Sequence, residues 1–230
     1  MEEKTLEILH KCESSGHFIS KAFCEGGFAM YFIAGVGFLV IFLIIERFLS
    51  LRSLVLDKDN VSENLFGLLL QGNVRQAIGF CDTTPAPLTN TLKAGLVQVM
   101  NKRPDEEVQV AMDAAVLRET PRLEGWASFL AVFGNVSVLI GLLGTIIGLI
   151  KSFGGVGEVD AATKAAVLSK GISEALNCTA FGLAVAIIAI VAYGFFQIRI
   201  GRATNHLLES SMNLMNCVVS NRDKIYSQGK

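Results

Sequence analysis

Three long apolar runs stand out along the chain, over residues 28–45, 127–150 and 171–198. The first two contain no charged side chain, whereas Glu174 and Asn177 interrupt the third. A helix of about 20 mainly apolar residues is long enough to cross the hydrocarbon core of a bilayer. The pattern therefore predicts an all-α membrane protein, a bundle of three transmembrane helices at 28–46, 127–150 and 171–198.

The segment at 47–126 combines short apolar stretches with helix start and stop signals, so we expect a helical domain outside the membrane. Its turns are marked by Gly72-Asn73 and by the proline-containing loop after Cys81. Four helices are predicted: one capped by Ser62 that runs to about Leu70, one over 74–81, one over 88–100 and one that begins at Pro104.

The last of these helices has a proline at its start and acidic residues at 105–107, which favour the positive end of the helix dipole. It can continue into the second span through a kink at Pro121. After the third span, apolar residues recur at helical spacing to about Ser220. We therefore expect a C-terminal helix within 199–230.

Composition agrees with a membrane protein. The 230 residues are 51% hydrophobic and 18% charged, and soluble domains average roughly 25% charged residues. The formal net charge is -1. A nucleic-acid partner is not expected, because such proteins need a basic face.

Basic residues set the orientation of the spans. Lysine and arginine are numerous in 47–126 and follow the third span in 199–230, while 151–170 holds three lysines together with acids. By the positive-inside rule, 47–126 and the C-terminus are cytoplasmic. The N-terminal segment 1–27 and the link at 151–170, which also starts the third helix, are then on the outer side of the membrane.

Enzyme and cofactor chemistry are not indicated. The five cysteines form no CxxC pair and the three histidines do not cluster with them, so no metal site is predicted. Cys12 and Cys24 lie in the same predicted outer segment, so a disulfide between them stays open on the sequence alone. The glycine-rich stretch at 154–157 lacks the Lys-Ser/Thr of a phosphate loop.

The second span carries a stripe of small residues at spacings of three and four. At 100° per residue the stripe occupies one face of about 100°. Small residues in a membrane helix mark the face that another helix approaches closely. Tight packing is the simplest interpretation of this stripe, whose members are Gly134, Ser137, Gly141, Gly144, Thr145, Gly148 and Ser152.

The third span repeats the pattern with a second small-residue face. Its members are Gly171, Ala175, Cys178, Gly182, Ala186 and Ala189. This face also marks where another helix approaches closely.

Glu174 is the one acid within a predicted span. If the third helix is capped by Asp160, Glu174 lies about 20 Å along it at 1.5 Å per residue. An ionised acid at membrane depth costs about 2.5–3.5 kcal/mol on insertion scales, so it should face protein or water. Its role is either functional or a structural hydrogen bond to a neighbouring helix.

Thr145, Thr179 and Asn177 are the other polar candidates. A buried threonine often donates to the carbonyl four residues earlier, which is a purely structural role. The functional interpretation is that both hydroxyls and the Asn177 amide line a polar seam beside Glu174, through which water and a proton could pass. Both interpretations stay open on the sequence alone.

The sequence resembles the ExbB/TolQ/MotA proton-channel family, and its three spans resemble the ExbB/TolQ branch. The resemblance rests on GLLGTIIG at 141–148 with Ser152-Phe153, and on GISEALNCTAFGLAVA at 171–186. Glu46-Arg47 at the end of the first span and Gly72-Asn73 with Ala77 and Cys81 are also similar. The resemblance covers nearly the whole chain after about residue 28.

This resemblance implies a homo-oligomeric, pentameric ring around a small single-span ExbD/TolR-like partner that carries a membrane aspartate. Thr145 and Thr179 then match the pore-lining threonines of the family, and Glu174 matches its membrane acid. The implied function is a motor stator subunit that couples proton motive force to work in the cell envelope. A TonB/TolA-like or gliding effector would receive that work.

The chain also departs from the family pattern. Isoleucine at 188 and glycine at 194 replace a common proline and asparagine, and no proline precedes GLLGT. Prolines loosen or kink helices, so their absence changes how the spans bend. The alternative function is a non-conducting scaffold for a membrane partner.

Overall fold

The computed structural model describes residues 27–54, 58–157 and 160–221. The predicted N-terminal segment, including Cys12 and Cys24, lies outside the described residues. Within them the chain forms seven α-helices: α1 Gly27–Leu54, α2 Lys58–Leu70, α3 Val74–Thr83, α4 Pro87–Met100, α5 Asp105–Glu124, α6 Ala127–Val156 and α7 Ala161–Ser220.

Three of the described helical segments are long and apolar enough to cross a membrane: Gly27–Arg52, Asp105–Val156 and Thr163–Ser220. They contain the three apolar runs of the sequence. Within the described residues, an all-helical fold with three helices long and apolar enough to cross a membrane is therefore confirmed.

The described chain divides into two compact units. The first unit consists of 27–45 and 128–194, and the second of 46–127 and 195–221. The first unit is built from the apolar parts of α1, α6 and α7. The second holds α2 to α5 together with the last part of α7.

In the first unit α6 and α7 meet through small side chains. Ala175, Cys178 and Ala186 are almost completely buried, whereas Phe38 is 74% exposed and Val191 68% exposed. A protein in water hides its large apolar side chains. The opposite arrangement suits a lipid environment, where only small residues let two helix backbones approach closely.

The second unit has a conventional hydrophobic core. Its buried side chains come from α2 to α5 and from the end of α7, and the α4–α5 pair forms much of its frame. The core residues are Leu65, Leu69, Val74, Ala77, Cys81, Leu92, Leu96, Val99, Val108, Met112, Leu214 and Val218.

The ends of α4 are set by local hydrogen bonds. The Thr89 hydroxyl accepts from the Ala86 N–H at 2.9 Å and donates to the Thr84 carbonyl at 2.6 Å, which closes the loop before the helix. After α4, Lys102 adopts a positive φ of 56° that turns the chain toward α5. The helix predicted over 74–81 ends two residues later, at Thr83, and the helix predicted over 88–100 begins one residue earlier, at Pro87.

Two sequence expectations about helix boundaries were wrong. The helix predicted to begin at Ser62 already begins at Lys58. The predicted kink at Pro121 is not where the helix is interrupted: α5 passes through Pro121 and ends at Glu124. Gly125, with φ 42° and ψ -127°, breaks the helix instead, because only glycine adopts this backbone conformation readily.

The Gly125 break also accommodates a buried guanidinium. A methyl group on Gly125 would overlap the Arg47 guanidinium, whose residue is only 4% exposed. Arg47 Nε lies 2.9 Å from Glu46 Oε2 in an ion pair, although neither atom is aligned for a hydrogen bond. Arg47 is therefore held by packing and charge at the junction of α5 and α6.

Candidate functional site

The candidate site lies along the contact between α6 and α7, where the two small-residue faces meet. The helices run antiparallel. A residue of α6 therefore lies opposite the residue of α7 for which the two residue numbers add up to about 323. A Cβ on Gly134 would lie 3.3 Å from the Ala189 Cβ, and one on Gly148 would lie 3.0 Å from the Ala175 Cβ. This contact is called the α6–α7 seam below.

In the middle of the seam the backbones of α6 and α7 are too close to leave room for a side chain. A Cβ on Gly182 would lie 2.7 Å from the Ser137 carbonyl oxygen, and one on Gly141 would lie 3.2 Å from the Cys178 carbonyl oxygen. Gly144 packs on Cys178 in the same way, and Gly171 lies directly against Ser152. The structure thus places all six predicted packing residues in this seam: Gly141, Gly144, Gly148, Gly171, Ala175 and Gly182.

Thr145 and Thr179 meet across the centre of the seam. Their Oγ1 atoms lie 2.7 Å apart. Thr145 Oγ1 lies 3.0 Å from the Gly141 carbonyl oxygen, and Thr179 Oγ1 lies 3.2 Å from the same oxygen. The two hydroxyls and one carbonyl form a triangle between the helices.

The triangle has three close contacts but only two hydroxyl hydrogens to donate. Each hydroxyl donates one hydrogen, so two of the three contacts can be hydrogen bonds at one time. In one arrangement Thr145 donates to Gly141 and Thr179 donates to Thr145. In the other, Thr179 donates to Gly141 and Thr145 donates to Thr179. The direction of the Thr–Thr bond is therefore reversible without moving a heavy atom.

Both sequence interpretations of the threonines are present in this geometry. Thr145 makes the structural bond to the carbonyl four residues earlier, and it also contacts the second hydroxyl. Because the contact between helices depends on glycine at 141, the hydroxyl pair exists only where the seam is tight.

Two serines flank the threonine pair in the seam. Ser137 Oγ donates to the Gly182 carbonyl oxygen at 3.0 Å, between the helices. Ser152 Oγ donates to the Gly148 carbonyl oxygen at 2.7 Å, within α6. Both are buried. The small-residue stripe contained them, but only the antiparallel register shows that Ser137 binds across the seam.

Glu174 does not lie beside the threonine pair. At 100° per residue it is rotated about 140° from Thr179 on α7, and it is about 7.5 Å nearer the α7 start. Its Oε1 atom lies against Gly27, where a Cβ would overlap the carboxylate. Gly27 has φ 66°, so regular helix begins only after it and the carboxylate faces the first turn of α1.

Asn177 is half-buried on α7. At 100° per residue it is rotated about 160° from Thr179 and about 60° from Glu174. The structure therefore separates the predicted polar residues into a threonine pair in the seam and two residues on other faces of α7.

A cavity of about 300 Å³ lies between α1, α6 and α7, on the Glu174 side. Its wall is mostly apolar, and Lys151 and Glu174 are the two charged residues that line it. Gly27, Lys151 and the cavity had no signal in the sequence, because they depend on where α1 packs. Among the described residues, no group of three His, Cys, Asp or Glu could hold a metal ion.

Comparison with known proteins supports a channel family. The profile of the MotA/TolQ/ExbB proton channel family matches residues 83–209, which is more than half of the chain. The Tol-Pal system protein TolQ of Pseudomonas aeruginosa is 46% identical over 94 residues, 41% of this chain and 40% of that protein.

Two further relatives extend the comparison. The biopolymer transport protein ExbB of Salmonella typhimurium is 43% identical over 88 residues, 38% of this chain and 34% of that protein. An ExbB-like protein of Synechocystis sp. is 28% identical over 174 residues, 75% of this chain and 81% of that protein. The matches to TolQ and ExbB thus cover less than half of either relative.

Proposed function

Because this chain belongs to the MotA/TolQ/ExbB proton channel family, in its ExbB/TolQ-like branch, we propose that it is a motor stator subunit. It would couple proton motive force to mechanical work in the cell envelope. The observation that carries the proposal is the reversible Thr145–Thr179 pair in the α6–α7 seam. A hydroxyl pair that can reverse its hydrogen bond is able to relay a proton.

A relay needs a titrating group to receive the proton. Thr145 and Thr179 do not ionise near neutral pH, and Glu174 lies on another face of α7. We therefore assign the titrating group to a small single-span ExbD/TolR-like partner that carries a membrane aspartate. Five copies of this chain would surround that partner, with the threonine pairs facing it.

In this proposal, Glu174 and Asn177 line the path by which a proton reaches the threonine pair from the start of α7. Glu174 is about five residues, or 7.5 Å, before Thr179 along the helix. An acid at membrane depth that contacts the start of another span is expected to have a function. In the proposed orientation this end is periplasmic, while the second unit and the C-terminus are cytoplasmic, in a bacterial inner membrane.

The process that receives the work depends on further partners. The relatives are a Tol-Pal system protein and a biopolymer transport protein. A TolA-like or TonB-like effector is therefore proposed for this chain, and a gliding effector is a further option. The membrane domains proposed are 28–46, 127–150 and 171–198.

The alternative is a non-conducting scaffold for a membrane partner. It is favoured by one observation, the Thr145 bond to its own Gly141 carbonyl, which is also made by threonines with only a structural role. The seam would then serve packing alone, and the hydroxyls would be replaceable by groups of equal shape.

The decisive experiment replaces each hydroxyl by a methyl group of similar size. Thr145→Val and Thr179→Val keep the β-branched shape, so packing in the seam is retained. We expect proton flux to fall about 10²-fold, which is the lower end of what a positioned proton-transfer group contributes. Flux would be measured with a pH-sensitive dye in vesicles that contain the chain and its co-encoded partner.

Ser137→Ala is the matched control. Ser137 also makes a hydrogen bond in the seam, to the Gly182 carbonyl, but it has no hydroxyl partner. This variant should conduct normally. If the double valine variant assembles and conducts at the normal rate, the relay is wrong and the scaffold is favoured.

A further inference from the structure

The cavity between α1, α6 and α7 is amphipathic along the membrane normal. Its apolar wall includes Phe28, Phe32, Leu143 and Ile147, and it reaches Ile140. Lys151 lies just after the apolar run of α6, at the membrane boundary. Ile140 is 11 residues before it, about 16 Å deeper at 1.5 Å per residue. One end of the cavity is therefore charged and the other apolar.

The two charges in the cavity have opposite signs and stay apart. Within the part of the chain that the structure describes, Lys151 and Glu174 form no ion pair with each other, although both line the cavity. The Glu174 carboxylate is held at the cavity edge by its contact with Gly27. A charge at the edge of an apolar space gains most from an occupant of complementary charge.

We propose that this cavity binds a zwitterionic phospholipid with a primary ammonium headgroup, a phosphatidylethanolamine. The Lys151 ammonium would bind its phosphate, since lysine is a common phosphate ligand. The Glu174 carboxylate would accept hydrogen bonds from its ammonium. One acyl chain would lie along Phe32 and Leu143 toward Ile140.

The headgroup chemistry distinguishes this lipid from the other common ones. A phosphatidylcholine carries the same charges, but its quaternary ammonium has no N–H to donate to Glu174. A phosphatidylglycerol presents a phosphate to Lys151 and no cation to Glu174. Glu174 is shared with the proposed proton approach, but lipid binding is measured without proton flux, so a failure of either proposal is recognised separately.

The test is native mass spectrometry of the full chain in an equimolar mixture of the three lipids with identical acyl chains. We expect phosphatidylethanolamine to be retained about tenfold over phosphatidylcholine, because hydrogen bonds to charged groups contribute at least this factor. Glu174→Gln should equalise the two. Lys151→Gln should lower retention of both lipids.

Two further variants complete the design. Lys164→Gln removes an exposed lysine outside the cavity and should change nothing. Ile140→Trp fills the apolar end and should lower retention of all three lipids without changing their order. The Lys151 and Ile140 variants test the proposal even if Glu174→Gln fails to fold.

Equal retention of the three lipids by the unmodified chain would overturn the proposal, because an unspecific lipid layer gives that result. Retention of phosphatidylethanolamine that is as high in Lys151→Gln as in the unmodified chain would also overturn it. Cross-linking of Leu143→Cys to a second copy or a partner helix at full yield would do the same, since the cavity would then be occupied by protein.

Discussion

The two units of the chain make their closest helix contacts with different kinds of side chain. In the first unit the tightest contacts are made by glycine, alanine, serine and cysteine, while phenylalanine, leucine and isoleucine point outward. In the second unit leucine, valine and methionine form the core. The same chain thus follows two packing rules, one for each solvent.

The difference teaches what holds each unit together. In water, large apolar side chains stabilise the fold by leaving the solvent, at about 25 cal/mol per Å². In a bilayer the solvent is itself apolar, so helices associate through close backbone contact and hydrogen bonds between them. The threonine pair is a product of the second rule, since it needs the backbones to touch.

The largest effect is expected from a methyl group in the first unit. Gly182→Ala would place its Cβ 2.7 Å from the Ser137 carbonyl oxygen and 3.2 Å from the Gly141 Cα. Both are backbone atoms that cannot rotate away. We expect the seam to separate and the folded chain to be lost, as measured by thermal unfolding and size-exclusion chromatography in detergent.

Gly95→Ala in the second unit is the matched substitution. Its Cβ would also lie 2.7 Å from a neighbour, but that neighbour is the Met112 side chain, which is flexible. We expect the folded chain to survive with a loss of about 1–3 kcal/mol, the usual cost of overpacking. Equal losses for the two variants would contradict the distinction between the units.

An intermediate effect is expected from removing large side chains. Leu92→Ala, at a fully buried position of the second unit, should cost about 2–5 kcal/mol. Leu183→Ala, 45% exposed in the first unit, should change stability by less than about 0.5 kcal/mol. Denaturant titration of both variants in the same detergent checks this, and equal losses would show that the units are packed alike.

The smallest effect concerns the Cys81 thiol. Burial, and then the charge of Asp82, raise its pKa from 9.0 to about 11. The unfolded thiol ionises first, so stability is unaffected below pH 9 and falls as the pH rises from 9 to 11. Cys81→Ala should flatten this slope in chemical unfolding.

Reagent labelling gives an independent measure of the same thiol. Cys81 is 2% exposed, and thiolates are the reactive species. Iodoacetamide at pH 8 should modify Cys81 only after unfolding. Rapid labelling of the folded chain at Cys81 would show that the core of the second unit opens to solvent.

The sequence predicted the three spans and the two small-residue faces because both are local patterns. That the faces meet each other is shown only by the structure. Apolar length identifies a span, and small residues at spacings of three and four identify a contact face. The common polar seam predicted for Glu174 and Thr179 was wrong, although helix geometry alone places them about 140° apart. The contact between Glu174 and Gly27 was not predicted, because it depends on where the first turn of α1 packs. The break at Gly125 was also missed, since Pro121 is the stronger local signal.

The second unit is discontinuous in sequence, and this affects how the chain is made. Leu214 and Val218 complete a core whose other members end at Met112. Leu214 leaves the ribosome 102 residues after Met112, a delay of roughly 5–20 s at the usual rate of synthesis. During that time two spans must insert, and Leu92 and Leu96 lack their packing contacts with the end of α7. Closure of the core therefore reports that insertion is finished, and a nascent chain cut short before Leu214 would expose an apolar surface to cellular quality control.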